Sequence, residues 1–137
     1  MKLCVATDLS PSGTAAVERA LAMAKALGAE VLLLHVVHDP ELAPAFSDDV
    51  PGSVEDARNE LEAIAKDAAV PCAVDVRTAE HVADAIVDAS KGCDYLFVSS
   101  QGKSTFERFR VGSIATAVMR KSEAPVVCCP HVEQAAR

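Results

Sequence analysis

The sequence predicts an α/β fold: a doubly wound, five-stranded parallel sheet with helices on both faces. Two observations carry the prediction. Short apolar runs alternate with stretches of helical periodicity in the order β-α-β-α-β-α-β-α-β, and strands alternating with helices imply right-handed crossovers. The inner runs are apolar nearly throughout, as strands covered on both faces must be.

Leu3–Thr7 is short, apolar and partly β-branched, and reads as the first strand. Ser10-Pro11 then supplies an N-cap and a proline tolerated in the first helical turn. Val17, Ala20, Leu21, Ala24 and Leu27 recur at helical spacing, and Gly28 supplies the stop. Val31–Val37 is the second strand. His38–Ser53, with Pro40, Pro44 and Pro51, is the one long loop, of the kind that forms lids or contact surfaces or is partly disordered. Val54, Ala57, Leu61, Ile64, Ala65 and Ala68 mark the second helix. In Pro71–Arg77 the pattern turns Cys72, Val74 and Val76 inward and Ala73, Asp75 and Arg77 outward, as in an edge strand. Val82, Ala85, Ile86 and Ala89 form a third helix closed by Gly92, and Tyr95–Ser99 is the fourth strand. Residues 100–112 are a loop. Ser113 opens the last helix, with Ile114, Ala117, Val118 and Lys121 facing one way, and Pro125–Cys129 is the fifth strand. The tail His131–Arg137 lacks a partner pattern and is expected to fray.

The 137 residues fit one ordinary domain, read here as residues 1–137, able to hold a core without disulfides or metal. No apolar run approaches the ~20 residues of a membrane span. The start, interrupted at Asp8, is too short for a signal peptide. A soluble cytoplasmic chain is the expectation. The five cysteines make an odd count without framework spacing and read as small buried hydrophobes in a reducing compartment. Cys128-Cys129-Pro130-His131 is the one metal-like cluster, but neighbours on a strand point to opposite faces, which argues against a shared metal.

The net charge of −7 argues against nucleic-acid binding, which needs a basic face. The charge is uneven. Residues 101–122 hold Lys103, Arg108, Arg110, Arg120 and Lys121 against Glu107 alone, a net of +4 in an otherwise acidic chain. Such an island is a candidate anion site, or simply a basic helix end and a solvated loop.

In open α/β sheets ligands bind at the carboxyl ends of strands, where the strand order reverses. Two loops there carry unusual chemistry: Ala6-Thr7-Asp8-Leu9-Ser10 after the first strand, and Ser99 to Ser104 after the fourth, running on to Val111-Gly112-Ser113. If the first and fourth strands are neighbours, Asp8 faces the second loop across the crevice. A carboxylate there suits a ribose hydroxyl or an adenine edge, and would serve equally as a turn residue before the first helix. Gly102 and Gly112 let backbone approach a ligand, and Ser113 with the free N–H groups of the last helix makes a phosphate site. Lys103 and Ser104 add a cation and a hydroxyl. Gly102-Lys103-Ser104 is not a P-loop, since Phe97 stands where that motif needs its first glycine. His35, in a buried strand, reads as a packed residue; His38, His81 and His131 read as surface.

With these residues in place the chain resembles the universal stress protein family. Cys4-Val5-Ala6-Thr7-Asp8-Leu9-Ser10 is similar to its first strand ending in Asp, and Leu33-Leu34-His35-Val36-Val37 to its second. Ser99-x2-Gly102-x9-Gly112-Ser113 is similar to its nucleotide motif Gly-x2-Gly-x9-Gly-Ser/Thr, with Ser99 in place of the first glycine. Ala124-Pro125-Val126-Val127 is similar to the start of its last strand. The resemblance implies strand order 3-2-1-4-5, ATP binding with or without Mg²⁺, and homodimers joined through residues 125–129. It also implies that Asp8 and the backbone of Val36 hold adenine and ribose. Ser99 and Gly102 would lie under the ribose and phosphates, with Lys103, Ser104, Gly112, Ser113 and the Ile114 amide around the phosphates. If position 99 requires a positive φ, serine costs on the order of 1 kcal/mol in strain there, and Ser99→Gly should tighten binding.

The function expected is an ATP-binding regulatory module of a homodimeric stress protein, with no nucleic-acid or membrane partner. Two alternatives stand beside it. One is a nucleotide-free dimeric adaptor with a decayed site. The other is a slow ATPase or self-phosphorylating protein, for which the 99–113 loop offers only Glu107 beside Asp8.

Overall fold

The computed structural model describes residues 1–38, 54–101 and 111–130. The expected loop over 39–53, the residues 102–110 and the fraying tail over 131–137 lie outside them. Among the described residues nine elements alternate: β1 (Lys2–Ala6), α1 (Pro11–Leu27), β2 (Glu30–His38), α2 (Val54–Asp67), β3 (Cys72–Ala79), α3 (Val82–Ala89), β4 (Tyr95–Ser99), α4 (Ser113–Lys121) and β5 (Val126–Cys129). Every strand pairing is parallel, and the order is β3-β2-β1-β4-β5. The sheet therefore reverses between β1 and β4, whose register sets Val5 beside Phe97.

The alternation of side chains along each central strand feeds two cores. Leu3, Val5, Val31, Leu33 and Phe97 point to α1 and α2, where Ala16, Ala20, Ala24 and Leu61 receive them. Cys4, Ala6, Leu32, Leu34, Leu96 and Val98 point the other way, to Ile86 of α3 and to Ala115 and Val118 of α4. The alanines of α1 keep that helix close to the sheet. Its ends follow the sequence: the Ser10 hydroxyl accepts the Gly13 N–H at 3.2 Å, and Gly28 closes the helix at φ +67°, a left-handed conformation where glycine carries no Cβ penalty.

Several boundaries differ from expectation. β2 runs on through His38, which belongs to the strand rather than to the loop, because Val37 and His38 still pair with Thr78 and Ala79 of an equally extended β3. The third helix ends at Ala89 with Ser90 as its cap, two residues before Gly92. On α4 the buried face is Ala115 and Val118, whereas Ile114 is 43 % exposed and Lys121 lies in solvent. Of the expected stripe Val118 is buried and Ala117 half-buried, while Ala115 takes the inward place expected of Ile114.

Candidate functional site

The turn leaving β1 is built from side chains that bond to nearby backbone. Thr7 continues the ladder through its N–H to the Leu34 carbonyl, at 2.9 Å, and its hydroxyl accepts the Leu9 N–H at 3.0 Å. Asp8 Oδ1 accepts the Ser10 N–H at 2.9 Å and also the Ser10 hydroxyl. Asp8 is thus a turn residue, the second of the roles open in the sequence, and it also lines the cavity described below. Nδ1 of His35 lies 2.7 Å from the Thr7 carbonyl oxygen. A carbonyl only accepts, so Nδ1 carries the proton. His35 is buried at 5 % exposure and braces the turn from β2.

Two features of this turn were not legible in the motif. Leu9 adopts φ +62°, and it is the one described non-glycine residue in the left-handed region. Its side chain packs against the α1–α2 core, which offsets the backbone cost. Gly13, inside α1, sits against the turn so closely that a Cβ would stand 2.5 Å from Asp8 Oδ1 and 2.6 Å from Thr7 Oγ1. A glycine two residues into a helix was the signal available, since glycine in a helix interior asks for a packing reason.

Across the crevice, the Ser99 hydroxyl donates to the Gln101 carbonyl at 3.0 Å and accepts the Gln101 N–H at 3.3 Å. Ser12 of α1 donates to the same carbonyl at 2.9 Å. Ser99 is the last residue of β4 and its φ is not positive. The expected strain at this position is therefore absent: strand geometry accepts serine without penalty, and the hydroxyl fixes the turn. Gly112 N-caps α4 at φ −61° and donates its N–H to the Ser100 carbonyl at 2.7 Å. No side chain caps α4 and no acidic residue occupies its first turn, so its N-terminal dipole is left for another acceptor.

These groups enclose a cavity of about 310 Å³, within the size range of small-molecule sites. Thr7, Asp8, Ser99, Gln101, Gly112 and Ser113 form its polar side. Val36, Val82, Ile86, Val98 and Ile114 form an apolar wall. Of the residues expected at a site, Asp8, Val36, Ser99, Gly112, Ser113 and Ile114 all line this one cavity. Gly102, Lys103 and Ser104 lie outside the described residues. Val82 and Ile86 were missed, because their spacing reads as an ordinary core face of α3.

The described cations of the basic island stand away from the start of α4. Arg120 and Lys121 occupy the last turn of α4, about 12 Å along the helix from Ser113 at 1.5 Å per residue. Lys121 Nζ pairs there with Asp84 Oδ1 of α3 at 2.8 Å, and this hydrogen bond, with its charge, holds the Asp84 carboxyl below its ordinary range. Lys103, Arg108 and Arg110 lie outside the described residues. Among the described residues no three His, Cys, Asp or Glu side chains are grouped to hold a metal ion, and no helix is long and apolar enough to cross a membrane.

A model of the universal stress protein family matches residues 1–130. No curated protein matches the chain by sequence. Among solved structures, the chain is similar to universal stress protein UspA from Lactobacillus plantarum, with TM-score 0.77 and 18 % identity over 94 % of this chain and 97 % of that one. It is similar to a universal stress protein in complex with cAMP, with TM-score 0.71 and 25 % identity over 97 % of this chain and 98 % of that one. It is also similar to the universal stress protein from Archaeoglobus fulgidus in complex with dAMP, with TM-score 0.69 and 19 % identity over 93 % of this chain and 96 % of that one.

Proposed function

Because the chain belongs to the universal stress protein family, we propose that the cavity at the reversal of its sheet binds an adenine nucleotide, with ATP the ligand to test first. The observation that carries the reading is the convergence of Asp8, Val36, Ser99, Gly112, Ser113 and Ile114 on one cavity with an uncapped helix N-terminus at its rim. The apolar wall suits a base. Asp8 and the Val36 backbone suit the ribose and adenine. The α4 N-terminus suits phosphate oxygens, which its N–H groups and dipole attract. By the family resemblance Gly102 would lie under the ribose and phosphates, with Lys103 and Ser104 around the phosphates, and Mg²⁺ is left to the test. The neighbour of 25 % identity described in complex with cAMP supports the ligand class. The unstrained Ser99 argues against a decayed site.

In this reading the chain is a single nucleotide-binding domain with a regulatory role in stress, and it works as a homodimer. Among the described residues β5 pairs with β4 and stands at one edge of the sheet. A short apolar edge without a guarding lysine favours pairing with its copy around a two-fold axis.

The test is calorimetry with ATP, with and without Mg²⁺, beside mass analysis of any small molecule carried through purification. Heat of binding at one site per chain is expected. No heat at millimolar ATP and no copurified nucleotide would overturn the reading and favour the adaptor.

A further inference from the structure

Ser12, in the first turn of α1, is buried behind Gln101 and stands outside the lining of the cavity. Its hydroxyl donates to the Gln101 carbonyl at 2.9 Å, and its oxygen lies 3.1 Å from that of Ser10. Each hydroxyl carries one hydrogen, and a carboxylate or carbonyl oxygen only accepts. Ser10 therefore donates to Asp8 and Ser12 to Gln101, so one turn of helix sends a bond to each side of the crevice.

Neither partner of the Ser12 bond needs it for its own pairing. The Ser99 hydroxyl already donates to the Gln101 carbonyl at 3.0 Å, and the Ser10 oxygen offers Ser12 another acceptor. What the bond adds is position. The Ser99 bond spans two residues and shapes the turn from within. The Ser12 bond spans 89 and sets where that turn stands against α1. The same turn holds the mouth of α4: Ser100 donates its N–H to the Cys129 carbonyl at 2.9 Å and accepts the Gly112 N–H at 2.7 Å. Asp8, for its part, is fastened to α1 through Ser10 and the close seat of Gly13.

We propose that Ser12 is a positioning residue that fixes the separation between the Asp8 side of the cavity and the α4 N-terminus, and so favours a nucleoside carrying phosphates over the bare nucleoside. This rests on the nucleotide reading above, in which the nucleoside sits between Asp8, Val36 and the apolar wall and the phosphates sit at Gly112 and Ser113. A ligand that reaches both ends gains affinity from a separation set in advance, because the two halves need not be ordered on binding. A ligand seated at the Asp8 side alone gains nothing from it.

The test compares ATP with adenosine on the full chain, by calorimetry and, for adenosine, by ligand-observed NMR. Ser12→Ala removes the hydroxyl, puts a strong helix former in the first turn of α1 and leaves the Gln101 carbonyl paired with Ser99, so circular dichroism should show an intact fold. ATP binding should weaken about tenfold, while adenosine binding stays within about twofold. Ser12→Thr keeps the hydroxyl and should bind ATP as the wild type does. Unchanged ATP affinity in Ser12→Ala would overturn the proposal. Equal losses for ATP and adenosine, or loss of the fold, would overturn it too, by making Ser12 a structural residue only. Those results leave the nucleotide reading standing, since the wild type still binds. A wild type that binds neither ligand would overturn the nucleotide reading and this inference with it.

Discussion

The Ser12 hydroxyl donates to the carbonyl oxygen of Gln101 across 2.9 Å, joining residues 89 apart in the chain. Gln101 also holds both hydrogen bonds of the Ser99 side chain. The first turn of α1 and the exit of β4 are thus tied at one carbonyl, on either side of the crevice. The described walls of the cavity are thus held to each other by the protein's own hydrogen bonds.

Gly112→Val should abolish ATP binding, a loss of roughly a hundredfold or more, equivalent to about 3 kcal/mol. Gly112 has φ −61°, which valine can adopt, so circular dichroism should show an intact fold while the added side chain blocks approach to the α4 N-terminus. Unchanged affinity in calorimetry would place the site elsewhere.

Ser99→Gly should leave ATP affinity within about threefold, since no strain exists there to relieve. It should lower stability by about 1 kcal/mol, through the lost hydroxyl bonds to Gln101 and the greater freedom of glycine in the unfolded chain. Urea unfolding and calorimetry separate the two effects. A tenfold loss of affinity would identify the hydroxyl as a ligand contact.

Gly13→Ala adds a methyl group 2.5 Å from Asp8 Oδ1 and 3.1 Å from the Asp8 backbone nitrogen. The Asp8 and Thr7 side chains that fasten the turn must move, so both stability and nucleotide affinity should fall, the former by about 1–3 kcal/mol. Gly28→Ala is the control. It meets no atom within 4 Å but sits at φ +67°, so it should cost about 1 kcal/mol and leave affinity unchanged.

Asp84→Asn removes the partner of Lys121 between α3 and α4. The folded-state carboxyl titrates below its ordinary value of 3.8, so its contribution is present above that value and is lost as pH falls through the lower folded one. Wild type should be slightly more stable at pH 7, with the difference fading below the carboxylate range and in high salt. A difference that grows on acidification would contradict the ion pair.

Light scattering should find the full chain dimeric, and a chain ending at Pro130 dimeric as well. A monomer that dimerises only on truncation would show residues 131–137 acting as a guard over β5. Pro125 precedes the strand and cannot donate to a ladder, so cross-links through the interface should centre on Val126–Cys129.

What the sequence could tell about the fold follows from burial. Strands such as Val31–Leu34, closed on both faces, have to be apolar throughout, and β1 and β4 likewise, which makes them visible as runs. The order of those strands came with the family resemblance. At the site, Asp8, Ser99 and Gly112–Ile114 were visible because spacing and residue type mark the carboxyl ends of strands. The left-handed Leu9 was invisible, since leucine has no preference for that conformation. Val82 and Ile86 were invisible as wall residues, since a valine facing a cavity and one facing a core repeat with the same period.

The sheet carries unequal armour. On one face lie helices of 17 and 14 residues; on the other, which roofs the cavity, helices of only 8 and 9. Short helices have few internal turns to hold them, so the α3–α4 layer should open first in native-state hydrogen exchange while α1 and the central strands stay protected. A ligand seated beneath that layer adds its binding free energy where the molecule is least secured. Amide protection in α3 and α4 should therefore rise with nucleotide concentration, making the thin side of the sheet the part whose persistence reports how much nucleotide is present.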